Sequence, residues 1–305
     1  IAGCGLVDNR IPDVPAEQTT LLKSGKSNYH TMTIDEAVAA VGDAKYVIFA
    51  GGISPAVEGE EMKVNYPGFR GGDRTEIELP AVQRELIAAL HRAGKRIVYV
   101  NCSGSAVALE PEAQHCDAIL QAWYPGQAGG TAVADVLFGD YNPAGRLPVT
   151  FYKNLSQLPD FEDYSMKGRT YRYFRGEPLF PFGHGLSYTT FDYGKAKLSA
   201  SHIKAGESVQ LTLDLRNRGP RDGDEVVQIY IRRNDDIDGP TKSLRAFRRV
   251  NVKSGKRTKV TFTLDGEAFE SFDPATATMR VLPGEYTIYY GGTSATDRAV
   301  TLRLE

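Results

Sequence analysis

Charge of one sign, long apolar runs and tryptophan are all scarce in this sequence. Lys and Arg together number 36 against 38 Asp and Glu, so the formal net charge is only -2. Such a chain has no excess of basic residues with which to neutralise a run of phosphates or an anionic membrane surface. No apolar run approaches the roughly 18 residues of a membrane-spanning helix. We therefore expect neither a nucleic acid nor a membrane as a partner.

Cysteine and histidine are also rare, which bears on metals and cofactors. The three cysteines, Cys4, Cys102 and Cys116, cannot all pair within one chain, and they lack the close spacing of zinc or iron–sulfur ligands. No two of the five histidines stand four residues apart, and the aspartate-rich stretch 235–238 lacks the glycine and final glutamate of an EF-hand loop. We expect free thiols in the core, no metal site and no cofactor.

The first half of the sequence alternates helical signals with short apolar runs. From Thr33 to Phe151 this pattern indicates a buried, mostly parallel sheet covered by helices, and hence an α/β fold. A capping box opens the first helix. The pattern predicts helices at 34–41, 79–90 and 131–137, and strands at 46–50, 96–100, 118–122 and 147–151.

The rhythm changes twice in the second half. Residues 153–193 contain ten Tyr or Phe residues among Pro and Gly, which is too aromatic for a flexible spacer and predicts an ordered connector. Short alternating strands follow without helices, as in a β-sandwich. They are predicted at 209–216, 225–232, 259–264, 279–282, 286–290 and 299–304. We therefore expect domains at 1–152 and 194–305, joined by the connector.

Three glutamates stand close together in the long polar loop that follows residue 50. Glu58, Glu60 and Glu61 repel one another as anions, which favours retention of a proton by one of them, the property that a general acid needs. They are our acid/base candidates. A solvent-exposed acidic loop is the plainer interpretation, and the later pair Asp73 and Arg74 is equally compatible with a simple salt bridge.

Two other loops also follow predicted strands and could carry a functional site. Cys102 follows the strand at 96–100, where a nucleophile can sit, but the sequence contains no Gly-x-Ser-x-Gly and His115 has no evident orienting partner. A buried structural thiol is the simpler interpretation. The glycine-rich stretch 123–130 leads into a helix and could hold an anion, although no Lys or Ser follows in P-loop spacing. A tight turn explains that stretch as well.

Ten short motifs together resemble one known family, the C-terminal half of glycoside hydrolase family 3. The motifs are Val57-Glu-Gly59, Gly72-Asp-Arg74, Leu79-Pro80, Gln83, Ala122-Trp-Tyr-Pro-Gly126, Gly129-Gly130, Ala134-Asp-Val-Leu-Phe-Gly-Asp140, Asn142-Pro-Ala-Gly-Arg-Leu-Pro148, Tyr171-Arg-Tyr-Phe174 and Phe180-Pro-Phe-Gly-His-Gly-Leu-Ser-Tyr188. The tail is similar to the fibronectin type III-like domain that ends many members. It contributes Glu225-Val-Val-Gln-Ile-Tyr230, Leu244, Phe247 and Pro283-Gly-Glu-Tyr286. The resemblance thus covers nearly the whole chain.

The resemblance implies a partial α/β sandwich domain followed by an all-β fibronectin type III-like sandwich. It implies a retaining, exo-acting β-glycosidase that removes terminal β-linked sugars from oligosaccharides. The nucleophilic aspartate would lie on an N-terminal (β/α)8 barrel that this sequence does not include. Glu58 best matches the family's acid/base glutamate, whereas an insertion at 63–71 leaves Glu60 and Glu61 as alternatives. Asp73 and Arg74 would brace the loop or border the leaving-group subsite.

Finer expectations also rest on the resemblance. The Gly51-Gly-Ile-Ser-Pro opening and the Glu58-Gly-Glu-Glu cluster resemble the β-xylosidase branch, with β-glucosidase as the alternative. A non-catalytic carbohydrate-binding or docking module is a third hypothesis. Family resemblance implies secretion or a periplasmic location, and a cytoplasmic one stays open. The sequence begins without a signal peptide and close to the middle of the family's sandwich, so we expect it to be part of a longer polypeptide and inactive alone.

Overall fold

The computed structural model describes residues 32–58 and 61–305. The packing divides the chain into two compact units. The first runs to Val133 and includes Tyr152–Gln157, and the second comprises Ala134–Phe151 and Leu158–Glu305. Cys4 and Glu60, both named above, lie outside the described residues.

Helices and strands alternate first, and strands alone follow. The helices are α1 (Ile34–Val41), α2 (Ala81–Arg92), α3 (Glu110–His115), α4 (Gly129–Phe138) and α5 (Thr170–Tyr173). The strands up to the end of α4 are β1 (Tyr46–Gly52), β2 (Asn65–Tyr66), β3 (Phe69–Arg70), β4 (Asp73–Arg74), β5 (Arg96–Cys102) and β6 (Ala118–Gln121). Those of the later part are β7 (Phe191–Tyr193), β8 (Lys197–Leu198), β9 (His202–Ile203), β10 (Val209–Asn217), β11 (Gly223–Arg233), β12 (Ser243–Val252), β13 (Arg257–Leu264), β14 (Glu270–Asp273), β15 (Thr278–Val281), β16 (Gly284–Gly291) and β17 (Ala299–Leu304).

A parallel sheet in the order β1-β5-β6 organises the first unit. The central strand β5 is the most buried of the three, and both Ile97 and Tyr99 are completely buried. Helix α2 packs an apolar face with Leu86, Ile87 and Leu90 into the core, as its periodicity predicts. Because all three strands run the same way, their carboxyl ends meet at one edge of the sheet.

The long loop after β1 is partly folded. Strands β2, β3 and β4 form a small antiparallel sheet, and the Met62 N–H donates to the Gly71 carbonyl at 2.9 Å. Val64 and Phe69 are buried beneath it. The insertion at 63–71 is therefore a hairpin that brings the chain back, so that Arg74 emerges from an ordered strand.

One strand predicted for the parallel sheet was wrong. Residues 147–151 do not join β1, β5 and β6; they pack in the second unit, where Phe151 forms an isolated bridge with Phe180. Pro148 has no N–H to donate to a sheet ladder, which disfavours an inner strand. Helix α3 was missed because it is only six residues long and contains a proline in its first turn.

Two sheets form a β-sandwich in the second unit. One has the order β13-β10-β7, with β8 also paired to β10, and the other has the order β12-β11-β16-β17-β9. Alternate residues of facing strands fill the core, and Leu211, Leu215, Val227 and Ile229 are completely buried. This confirms the predicted fold class. Tyr171 and Phe182 belong to the aromatic connector at 153–193. Their rings stack with centroids 4.4 Å apart, and both pack against Tyr230.

Strand β12 was not predicted because its side chains do not alternate. In β12 the apolar residue Phe247 is 68% exposed, and arginines occupy three of the ten positions of the strand. Strand 279–282 was predicted but belongs to the separate ribbon β14-β15 rather than to either large sheet. In the part of the chain that is described, no helix is long and apolar enough to cross a membrane.

Leu211→Ala should lower the free energy of unfolding of the sandwich by about 3 kcal/mol, because it removes a completely buried side chain and leaves a cavity. Urea denaturation followed by circular dichroism measures the change. Gln210→Ala, on the exposed face of the same strand, is the matched control and should change the free energy of unfolding by less than about 0.5 kcal/mol. Equal effects of the two substitutions would contradict the assigned faces of β10.

Candidate active site

Three loops meet beyond the carboxyl ends of β1, β5 and β6. The loop after β1 contains Glu58, the loop after β5 contains Ser105, and the loop after β6 contains Tyr124. All three side chains make contact within the first unit. Ligands in open α/β sheets gather at this edge, and the predicted acid/base glutamate therefore lies where a site is expected.

The end of β1 is fixed by a glycine and a buried glutamine. Gly52 has φ +123°, and a Cβ there would lie 1.9 Å from the carbonyl oxygen of Cys102, so only glycine fits. The Gln83 side chain accepts from the Gly52 N–H at 2.8 Å and donates to its carbonyl at 2.7 Å. This pair of bonds ties the strand end to helix α2.

The Glu58 carboxyl is held at both oxygens. Its Oε1 accepts a short hydrogen bond from the Ser105 hydroxyl, and its Oε2 accepts one from the Tyr124 hydroxyl at 3.2 Å. The side chain is 17% exposed, so it is largely withdrawn from water and still reachable. Glu58 is thus not a solvated residue of an acidic loop.

Arg74 lies behind the same carboxyl. Its Nη1 is 3.9 Å from Glu58 Oε1, and it donates at 2.9 Å to both Ser105 Oγ and the Ala106 carbonyl. Its other nitrogens donate to the carbonyls of Glu76 and Glu78. Burial lowers the pKa of Arg74 and the charge of Glu58 opposes that effect; an arginine stays protonated in proteins. Arg74 therefore fixes Ser105 and presents a positive charge to Glu58.

Asp73 occupies a different position from its neighbour. It lies exposed in β4, where its backbone pairs with Arg70. Within the described ranges Arg74 forms its ion pair with Glu58, and no Asp73–Arg74 salt bridge is present. The two residues that were predicted together are separated by the structure, and only Arg74 reaches the carboxyl.

Tyr124 is placed by a strained backbone. The preceding Trp123 has φ +57°, a left-handed conformation that costs a non-glycine residue about 1–2 kcal/mol. The Tyr124 ring packs on Gly104, where a Cβ would lie 2.7 Å from it. Burial, and after it the charge of Glu58, raises the pKa of Tyr124 to about 12. Its hydroxyl therefore keeps its proton and serves Glu58 as a donor.

A buried polar network fixes the Ser105 loop from below. The Tyr99 hydroxyl donates to Asn101 at 2.7 Å, and Asn101 donates to Gln121 at 2.6 Å. Gln121 donates to the Ser103 hydroxyl, which donates to the Ser105 carbonyl at 2.8 Å. Asn101 is completely buried, so these bonds are made in a poorly solvated environment where they are stronger.

Neither Glu61 nor Cys102 has an environment that suits it to catalysis. Glu61 is exposed and has φ +49°. Burial raises the pKa of the Cys102 thiol, which keeps it neutral, whereas a nucleophile needs the thiolate. The His115 ring packs against His91, with centroids 4.9 Å apart. The described residues also contain no group of three or more His, Cys, Asp or Glu side chains placed to hold a metal ion.

Ser105 and Tyr124 were not predicted as site residues. Both follow the carboxyl end of a strand by only a few positions, and that was the available signal. Nothing in the sequence shows that they approach Glu58, which lies 47 and 66 residues away along the chain.

Two family models match the sequence. The Glycosyl hydrolase family 3 C-terminal domain matches residues 5–188, and the Fibronectin type III-like domain matches residues 225–294. The chain is 59% identical to a xylan 1,4-beta-xylosidase of Xylanibacter ruminicola, over 86% of this chain and 30% of that protein. It is 37% identical to a periplasmic beta-glucosidase of Salmonella typhimurium, over 86% of this chain and 34% of the other.

Solved structures are similar to this chain over most of its length as well. A β-glucosidase from Erythrobacter marinus superposes with a TM-score of 0.78 at 37% identity, covering 89% of this chain and 36% of its own. A β-glucosidase from Bifidobacterium adolescentis superposes with a TM-score of 0.77 at 30% identity, covering 89% and 40%. The chain therefore spans about a third of the length of the relatives that it matches.

Titration of Tyr124 tests the contact with Glu58. At a pH of about 11, where a phenol of ordinary pKa, about 10, is mostly ionised, we expect Tyr124 to remain protonated. Glu58→Gln removes a nearby negative charge and should lower the pKa of Tyr124 by part of its shift, because burial is the larger cause. NMR of chain labelled with ¹³C at tyrosine Cζ measures this, with Tyr124→Phe to assign the signal.

Glu61→Gln is the matched control for that titration. It removes the same charge from an exposed position of the same loop, so the pKa of Tyr124 should not change. If both substitutions lowered the pKa of Tyr124 equally, the specific contact with Glu58 would be refuted.

Proposed function

Because the chain belongs to glycoside hydrolase family 3, we propose that it supplies the general acid/base carboxyl of a retaining, exo-acting β-glycosidase. The residue is Glu58, with Glu61 and Glu60 as lesser candidates. The single observation that supports this choice is the double hold on the Glu58 carboxyl by Ser105 and Tyr124, with Arg74 behind it. The proposed substrate is an oligosaccharide with a terminal β-linked sugar.

Each step of a retaining mechanism has a place for this carboxyl. As an aspartate of the N-terminal barrel attacks the anomeric carbon, protonated Glu58 gives its proton to the departing glycosidic oxygen. Glu58 is then a carboxylate, and Arg74 stabilises the new charge. In the second step Glu58 takes a proton from water, the water oxygen attacks the anomeric carbon, and the bond to the aspartate breaks. Glu58 ends protonated, as it began.

The two oxygens of Glu58 suit different tasks. Oε1 accepts the short hydrogen bond from Ser105 and lies near the guanidinium of Arg74. This oxygen therefore holds the carboxyl in position. Oε2 has only the longer 3.2 Å contact with Tyr124, a residue that is 42% exposed. We assign the transferred proton to Oε2, with Tyr124 exchanging places with the glycosidic oxygen. Asp73, exposed beside Arg74, borders the proposed leaving-group side.

Further polypeptide completes the proposed site. The nucleophile would come from an N-terminal (β/α)8 barrel, which fits the fact that the chain spans about a third of its relatives. Strand β1 also lies at the edge of its sheet with Tyr46 62% and Ile48 54% exposed. Apolar side chains in such a position favour contact with another segment. The catalytic reaction needs both carboxyls, so this chain supplies one half of the proposed machinery.

The proposed substrate preference is β-xyloside, with β-glucoside as the alternative. Identity to the relative named xylan 1,4-beta-xylosidase is 59%, against 37% to the periplasmic beta-glucosidase. The latter name supports a periplasmic or secreted location for this chain. A carbohydrate-binding module without catalysis has less support, because such a module has no use for the polar network beneath Glu58. We keep 1–152, 153–193 and 194–305 as the proposed functional division.

Glu58→Gln, in the protein that joins this chain to its barrel, should lower kcat/KM for aryl xylosides with poor leaving groups by about 10²–10⁴-fold, since these need a proton on the leaving oxygen. Substrates with good leaving groups should retain most of their kcat/KM. Steady-state kinetics across a leaving-group series measures the difference. Glu61→Gln is the control and should leave both classes unchanged. Full activity of Glu58→Gln on every substrate would remove it from the mechanism.

Ser105→Ala and Tyr124→Phe test the positioning of Glu58. Each removes one hydrogen bond to the carboxyl and should lower kcat/KM for poor leaving groups by about 5–20-fold, the equivalent of roughly 1–1.8 kcal/mol. Ser105→Ala should have the larger effect because it also removes one of the four hydrogen bonds that hold Arg74 beside Glu58. Tyr141→Phe removes a hydroxyl that bonds Arg249 instead and should have no kinetic effect. Loss across the whole leaving-group series alike would indicate misfolding rather than positioning.

A further inference from the structure

A cavity of about 280 Å³ opens in the second unit, far along the sequence from Glu58. It is lined by the end of β11, the following loop, the start of β12, the ribbon β14-β15 and the short helix α5. The volume is close to the lower end of the range for ligand pockets, about 300–1,000 Å³. It is therefore suited to one ring-sized ligand rather than to a length of polymer.

Arginines line this cavity from several elements. They are Arg172 of α5, Arg232 and Arg233 of β11, and Arg245 of β12. Within the described part of the chain, the Nε atoms of Arg172 and Arg232 are buried and have no hydrogen-bond partner. A buried donor without a partner is costly. Two guanidinium groups are thus only partly satisfied by the protein around them.

Positive charges lie near one another in two pairs, Arg172 with Arg245 and Arg232 with Lys242. Burial lowers the pKa of Arg245, and the charge of Arg172 lowers it further. Burial likewise lowers the pKa of Lys242, Asp297 raises it, and Arg232 lowers it. Like charges brought together in a poorly solvated place favour binding of an anion between them.

Of these four arginines, only Arg233 forms an ion pair with a carboxylate among the described residues. Asp235 pairs with Arg233 at 2.8 Å, and Glu270 accepts from Arg245 through its backbone carbonyl and has its side-chain charge nearby. Asp236 and Asp238 also line the cavity, from the loop after β11. No ion pair of Arg172 or Arg232 is present among the described residues, so these two are the cations left for a ligand.

The remaining wall is apolar. Tyr173, Phe269, Phe272 and Met279 line the cavity, and Phe272 and Met279 are 58% and 50% exposed. A guanidinium fork matches a carboxylate with two parallel hydrogen bonds, while an aromatic wall suits the apolar face of a sugar ring. A carboxylate and a ring together describe a sugar acid.

We propose that this cavity binds a carboxylate-bearing sugar residue of the hexuronic acid class, with Arg172 and Arg232 on the carboxylate and the aromatic side chains against the ring. The choice of a sugar over other carboxylates rests on the proposed glycosidase function. The site lies in the second unit and is separate in sequence from Glu58 and its partners. It would let the protein hold a charged branch or neighbouring residue of a polysaccharide while a neutral terminal sugar is cleaved elsewhere.

Calorimetric titration of the full chain with D-glucuronate at low ionic strength tests the proposal. D-Glucose supplies the ring without the carboxylate, and acetate supplies the carboxylate without the ring. We expect D-glucuronate to bind at least about 10-fold more tightly than either, and to weaken as salt is added. Equal binding of acetate and D-glucuronate would overturn the sugar part of the proposal, and no binding of D-glucuronate would overturn all of it.

Substitutions locate the site. Arg172→Gln and Arg232→Gln should each weaken D-glucuronate binding by about 10-fold or more. Arg232→Lys keeps the charge and the stem and removes the fork, so it should fold normally and still bind several-fold more weakly. Arg257→Gln, an exposed arginine of β13 with a side chain 61% accessible, is the matched control. Unchanged binding in Arg232→Gln and Arg232→Lys, with thermal unfolding unaltered, would place the ligand elsewhere.

Hydrolysis distinguishes this proposal from the proposed function. The protein that joins this chain to its barrel is assayed on a neutral aryl xyloside, for which Glu58 is needed and the cavity is not. D-Glucuronate binding without hydrolysis would overturn the glycosidase assignment and leave the cavity. Hydrolysis without D-glucuronate binding would overturn the cavity alone.

Discussion

Parallel pairing of β1, β5 and β6 is the constraint on which the candidate site depends. The pairing brings Gly52 opposite Cys102 and Asn101 opposite Gln121, so three loops leave the sheet side by side. Gly52 has no Cβ to push the neighbouring strand away, and Gln83 locks the strand end. From that edge Glu58, Ser105 and Tyr124 can meet although they are far apart in sequence. Loss of this register would separate the carboxyl from both of its hydroxyl donors.

Local patterns in the sequence predicted local structure well. Helix α1 begins at its capping box and ends where the periodicity ends, and strand β17 has the predicted bounds. The start of β1 and the presence of Glu58 in the loop after it were also predictable, although the strand runs two residues past its predicted end, to Gly52. Ser105 and Tyr124 were not, because a hydroxyl donor is recognised by its distance to an acceptor, and that distance is set by tertiary packing. Residues 147–151 show the reverse error, since an apolar run does not state which partner it will pair with.

Asp73 and Arg74 were predicted to act together, but the structure gives them different surroundings. Asp73 and Arg74 are adjacent in β4, and alternation along a strand sends their side chains to opposite faces. Arg74 turns inward to Ser105 and Glu58, whereas Asp73 is exposed. The hairpin formed by the insertion at 63–71 sets this direction, because it fixes the pairing of Phe69 with Arg74. An insertion that seemed to weaken the identification of Glu58 is thus part of what holds its positive partner in place.

The arginines that are withdrawn from water differ in how their charge is compensated. Arg74 is 11% exposed and is bonded to three carbonyls and a hydroxyl beside Glu58. Arg146 and Glu225, exposed by 9% and 8%, form an ion pair at 3.1 Å. Both groups are compensated, as burial of charge requires. Arg172 and Arg232, which are half-buried, have no ion pair among the described residues, although they lie in the same unit as the Arg146–Glu225 pair. A compensating anion from outside the chain is the simplest physical reason to keep such a cavity.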